Sequence, residues 1–196
     1  MATPDYSKRH VVFTGLTPIM FNKCSGNIDL ELPVEDKFYR QHNGSLCIPA
    51  GNLKSFYGAQ RFHCVAKILK ARNYKPLASA LIGLTIFTPM PIPIRKTPNS
   101  KPIMFGQFVN DVDELSGMYV DRQPAWGGGV PSMAVRPVLP LPWCLVFDIG
   151  WMRNEVFAEE QLLQGTQRGG LEVGIGTYRQ MYGKFSVDVW EEVDMA

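Results

Sequence analysis

A chain of 196 residues with 45% hydrophobic content has material for one well-buried domain with insertions, and its formal charge of +2 excludes an overall basic polyanion binder, so any nucleic-acid surface must come from local clustering. Cys24, Cys47, Cys64 and Cys144 form no Cys-x-x-Cys pair and the three histidines are not at ligand spacing to them, which excludes zinc; no metal and no cofactor is expected. The opening residues lack the apolar core of a signal peptide and no run reaches membrane-spanning length, which predicts a soluble protein of a reducing cytoplasm with no membrane partner.

Residues 11–21 are rich in β-branched and aromatic side chains and predict a first strand, with Pro18 barred from a central ladder position near its far end. Residues 22–45 mix charge, proline and glycine and predict an inserted loop or small hairpin. In residues 46–72, Asn52 is placed to cap a helix, and Leu53, Phe56, Ala59, Phe62, Ala66 and Leu69 recur along one buried face. Lys54 and Arg61, seven residues apart, project from the same side of that helix. The pair suits contact with consecutive phosphates, and equally a solvated helix face.

Residues 81–87 form a short apolar run that predicts an interior strand. Residues 88–142 hold most of the prolines and the cations Arg95, Lys96, Lys101, Arg122 and Arg136, which predicts a long excursion without regular core structure. Its apolar residues, Ile92, Ile94, Ile103, Phe105 and Trp126 among them, argue against disorder and for packing, a neighbouring copy being one candidate. Residues 143–151 restore strand character, and Asn154 is placed to cap a second helix with Val156, Phe157, Leu162 and Leu163 inward and Gly165 or Gly169 as its stop.

Residues 169–190 carry Gly169, Gly170, Gly174, Gly176 and Gly183, with Arg179 and Lys184 among them and Tyr178, Tyr182 and Phe185 between. Amide donors, cations and flat rings at close range suit a phosphodiester chain. The spacing is wrong for a phosphate loop of the nucleotide-hydrolase type, and a helix precedes the glycines where a dinucleotide fingerprint requires a strand. Two readings fit: a loop that holds phosphates of an extended polymer, and a glycine-rich turn joining a helix to an edge strand.

The resulting order, strand, helix, strand, strand, helix, strand, predicts one α+β domain over residues 1–196, a split βαβ core of the ferredoxin-like or RNA-recognition type with insertions at about 22–45 and 88–142. Within it, Ile48-Pro49-Ala50-Gly51-Asn52-Leu53-Lys54 followed by Arg61 resembles the first signature of the repeat-associated RAMP proteins of CRISPR systems, and the late glycine-rich loop resembles their second. Ala50 replaces a usual glycine, and Gly51-Asn52 stands where the family has a hydroxyl pair.

Among these proteins, the small backbone subunits that polymerise along guide RNA look nearest, with the long excursion in place of their thumb. The resemblance implies single-stranded guide RNA, further copies of the chain and other CRISPR effector subunits as partners. It puts Asn52, Lys54 and Arg61 near the RNA backbone and Gly174, Gly176, Arg179 and Lys184 at the glycine loop. Two other readings stand beside it. One is a metal-independent RNA-processing endoribonuclease, for which His10, His42 and His63 are the histidines available as general acid or base. The other is a phage-borne binder of single-stranded nucleic acid, or a decoy for a CRISPR complex.

Overall fold

Alternate residues of a strand face opposite ways, so the buried Val11 and Phe13 turn one face of β1 (Tyr6–Gly15) to the core while Lys8 and His10 lie on the other. The computed structural model describes residues 6–26, 31–59, 63–106, 117–127, 130–179 and 181–193, with only the backbone of 125–127 and 130–132. After β1 come β2 (Ile19–Met20), β3 (Cys47–Ile48), helices α1 (Ala50–Gly58), α2 (Val65–Leu69) and α3 (Lys75–Leu84), and strands β4 (Thr85–Thr88) and β5 (Ile92–Arg95). Strands β6 (Tyr119–Gly127), β7 (Val130–Leu139) and β8 (Cys144–Met152), helix α4 (Glu159–Glu172) and strand β9 (Phe185–Glu192) complete the chain.

The class is α+β, as the residue pattern predicts. The larger sheet has the order β3–β5–β8–β1–β9, with β4 also paired to β8, and each of these pairings is antiparallel. A smaller antiparallel sheet has the order β2–β7–β6. Between the larger sheet and the helices, Phe13 stacks on Phe185 with ring centroids 4.1 Å apart and meets Phe147 edge-on at 4.9 Å. Each such pair adds about 0.5–1.5 kcal/mol beyond the area it buries.

Several expected boundaries move, for identifiable reasons. The first strand begins at Tyr6 and ends at Gly15, because the Gly15 amide donates to the Trp143 carbonyl and the chain crosses at Pro18 into the second sheet as β2. The helix expected over 53–69 is two helices, with Ala59 extended at the end of α1. Residues 81–84 finish α3, whose Leu77, Ala78 and Leu81 share a buried face, and the strand starts only at Thr85. A short apolar run does not distinguish these two outcomes.

The proline-rich excursion is regular where none of that was expected: β5 joins the larger sheet, and β6 and β7 pair continuously from Tyr119↔Val138 to Gly127↔Val130. Pro124 lies on β6, the free edge of the three-stranded sheet, where a missing N–H is tolerated. In the earlier insertion the buried Lys37 donates from Nζ to the Val135 carbonyl at 2.8 Å and to Glu31 Oε1 at 2.6 Å, tying that loop to the hairpin.

Gly165 and Gly169 do not stop α4; they lie inside it and let other helices approach. A Cβ on Gly169 would stand 2.6 Å from Val65 Cγ2 and 2.7 Å from Phe56 Cζ, whereas one on Gly51, in α1, would have nothing within 4 Å. Gly169→Ala is therefore expected to destabilise by about 1–3 kcal/mol through overpacking, and Gly51→Ala to be neutral or stabilising by up to about 1 kcal/mol through helix propensity. Urea unfolding of the two variants measures both, and equal effects would mean that α4 is not held at that distance.

Candidate functional site

The segment after α4 is seated on its own protein. Gly174, Gly176 and Gly183 have φ of 75°, 83° and 72°, and Tyr178 joins them at 54°. These left-handed turns aim the amides inward. Gly183 N donates to the Pro18 carbonyl at 2.7 Å, Thr177 N to the Met20 carbonyl at 2.9 Å, and Ile175 N to the Gly183 carbonyl at 2.9 Å. Lys184 N donates to Thr17 Oγ1 at 3.0 Å and Gly176 N to Asn52 Oδ1 at 2.9 Å. Amides expected to face a phosphate chain are thus engaged inside the molecule, and a Cβ at Gly176 would come 2.6 Å from the Met20 carbonyl oxygen. The glycines permit close backbone packing, and what they position is a set of side chains.

The first of these is Asn52. It does not cap α1, which begins at Ala50 behind the extended Pro49; it lies in the first turn with its side chain turned to the loop. One turn on, Ser55 Oγ accepts from Arg179 Nη2 at 3.0 Å, while Arg179 Nε donates to the Gly176 carbonyl at 3.1 Å. Arg179 Nη1 is buried without a hydrogen-bond partner among the described residues. Burial pulls the Arg179 pKa down, yet a guanidinium remains charged at any physiological pH. Lys54, on the same first turns of α1, is exposed.

Lys184 is placed differently. Its Nζ donates to the Glu172 carbonyl at 2.8 Å at the end of α4, and burial lowers its pKa against the opposing charge of Glu172. Arg61 lies outside the described residues, and α1 ends before it. Of the expected residues, then, Asn52, Gly176 and Arg179 are brought together with Lys54 beside them. Gly174 and Gly183 are buried supports.

The loop also grips the hairpin. Tyr178 donates its hydroxyl to the Pro124 carbonyl at 3.1 Å, and the Arg136 guanidinium lies 5.6 Å from the centre of the Tyr178 ring. Tyr182 donates to Asp121 Oδ2, which also accepts from Gln123 Nε2 at 2.8 Å. Burial would raise the Asp121 pKa, but the hydrogen bonds from Tyr182, Gln123 and the Arg122 amide outweigh it and hold the carboxyl below its usual value. Ser55, Asp121, Arg136 and the two tyrosines were not expected in these roles. Ser55 and Arg179 each had a signal, one turn past Asn52 and inside the glycine run, but their partnership spans 124 residues and no local pattern encodes it.

The histidines are dispersed. His42 and His63 are exposed. His10 lies on the open face of β1, where its Nδ1 is 2.9 Å from Asp148 Oδ1 and Lys8 Nζ is 2.8 Å from Asp148 Oδ2. Glu191 stands across from His10 in the register with β9. Among the described residues no group of three or more His, Cys, Asp or Glu side chains is placed to hold a metal ion, and no helix is long and apolar enough to cross a membrane. No family model and no curated protein matches the chain.

The Asp121 contacts set a pH dependence. With its folded pKa below the unfolded value of about 3.9, Asp121 contributes stability that is present above that value and lost as pH falls through the folded pKa. Thermal unfolding at a series of pH values should show Asp121→Asn melting below the wild type near neutrality, with the gap closing below about pH 4. A gap that persists in acid would show that the charge on Asp121 is not what holds the hairpin.

Proposed function

We propose that the larger sheet and its helices are a split βαβ core of the ferredoxin-like or RNA-recognition type, and that the chain binds single-stranded RNA without reading sequence, as a repeating backbone subunit of a CRISPR-type ribonucleoprotein in the cytoplasm. The core reading is supported by β1 and β8 lying adjacent and antiparallel at the centre, with β9 on one side and β4 and β5 on the other. Each half then runs strand, helical segment, strand. The resemblance of the two signature segments to the repeat-associated family points to guide RNA, to further copies of the chain and to other effector subunits as partners.

One observation carries the RNA reading. Two segments 124 residues apart, each resembling a signature of one RNA-binding family, close on each other through Gly176 N to Asn52 Oδ1 and Arg179 Nη2 to Ser55 Oγ. The strand lies along this junction. Lys54 supplies an exposed cation, and the half-buried Arg179, held by the loop and Ser55, adds a fixed positive charge behind it. The glycine loop acts as the scaffold that aims Arg179 and Asn52, because its amides are occupied. The β6–β7 hairpin, gripped by Tyr178 and Tyr182, stands in the place of a thumb.

The test is anisotropy of a labelled oligouridylate over a salt series. Lys54→Ala should weaken binding to every sequence alike and reduce the log–log salt slope by roughly 0.7, the share of one single-strand phosphate contact. Failure of the wild-type protein to bind any single strand at low salt would overturn the reading.

A further inference from the structure

The net charge conceals a segregation. Residues 38–110 contain 10 lysines and arginines and not one aspartate or glutamate, so half of the 20 cations and none of the 18 acids occupy this part of the chain. The segment folds as β3, α1, α2, α3, β4 and β5, which include one edge of the larger sheet. The acids concentrate elsewhere: Asp188, Glu191 and Glu192 lie on β9 at the other edge, and Glu159 and Glu160 open α4.

Within the acid-free segment, the turn from α2 into α3 gathers Lys70, Arg72 and Lys75, all exposed. Asn73, at φ 53°, reverses the chain there, and the Lys67 ammonium lies 4.9 Å from the centre of the Tyr74 ring. Among the described residues no carboxylate forms an ion pair with Lys54, Lys70, Arg72 or Lys75. The turn also connects to the site above. α1 packs on α3 at Gly58, where a Cβ would stand 2.6 Å from Ile82 Cδ1 and 2.8 Å from the Ala78 carbonyl oxygen. Lys54 is one turn before Gly58, and Lys75 one turn before Ala78, so both lysines border the seam between these helices.

We propose that the α2–α3 turn is a second phosphate-binding surface, Lys70, Arg72 and Lys75, which extends the path of the bound strand from Lys54 along the α1–α3 seam. The inference rests on the RNA reading of the Asn52–Arg179 junction. Cations gathered without interspersed acids repel one another, and a polyanion relieves that repulsion. An anionic membrane would need apolar side chains beside the cations, and none of the large exposed apolar residues lies in this turn. A protein partner would need a buried anchor, and the turn offers exposed charge instead.

The experiment compares short and long oligouridylates over a salt series with the wild type, Lys54→Ala and the triple variant Lys70→Ala, Arg72→Ala, Lys75→Ala. For the long strand the triple variant should lower the log–log slope by about 2, at roughly 0.7 per phosphate contact, and for the short strand it should change nothing. Lys54→Ala should act on both lengths. The three side chains are exposed, and the single variant Arg72→Gln, expected to lower the long-strand slope by about 0.7, serves if the triple variant melts early. An unchanged long-strand slope in both variants overturns this surface while wild-type binding leaves the junction standing; no binding by the wild type overturns both. Capture of phosphatidylserine vesicles, lost in the triple variant without any change toward RNA, also overturns it.

Discussion

The hydrogen bond from Gly176 N to Asn52 Oδ1 is the contact on which the arrangement of this molecule depends. It is worth about 1 kcal/mol net, and removing the acceptor would leave a half-buried amide unpaired at a cost of about 1–3 kcal/mol. Its larger consequence is geometric. With Gly176 fixed to α1, the Gly176 carbonyl receives Arg179 Nε, and Arg179 reaches Ser55. The same loop closes on Pro18 and Met20 on one side and on Pro124 and Asp121 on the other. The two outer strands of the smaller sheet and the first helix therefore meet at a single turn.

Close packing makes this possible. α4 approaches α2 and α1 through Gly165 and Gly169, and β9 through Gly170, whose missing Cβ leaves room for the Phe185 carbonyl. Phe185 in turn stacks on Phe13, so the loop between α4 and β9 starts and ends on groups fixed in the core. An exposed glycine loop waiting for a ligand would be free to move; this one is held at its ends and along its length.

Much of the fold was legible in the residues. The strands over 144–152 and 185–192, the existence of the second helix and the α+β class follow from period and composition, although that helix starts at Glu159, past the expected Asn154 cap, and leaves Val156 exposed before it. The boundary of α3 was not, because Leu81 to Leu84 satisfy strand and helix patterns alike and only packing of Leu77 and Leu81 decides. The β6–β7 hairpin was missed because three prolines weigh against a strand in any local reading, while Pro124 lies on the edge strand and Pro131 and Pro137 lie on β7 outside its two pairs with β2. At the site, Asn52 was legible as chemistry and misread as geometry, because the expected cap is a long-range acceptor, and the loop amides expected to be free are engaged within the protein. The segregation of charge stood in the sequence throughout and disappears only when the whole chain is summed.

α4 carries Gly165, Gly169 and Gly170, each of which lowers intrinsic helicity by about 1 kcal/mol relative to alanine. Such a helix has little persistence by itself and forms through docking. Since Asn52 waits for a partner 124 residues downstream, a nascent polypeptide on the ribosome holds Asn52 long before Gly176 exists. The junction is thus assembled only once synthesis has passed the glycine turn, and a truncated or half-folded copy would lack it.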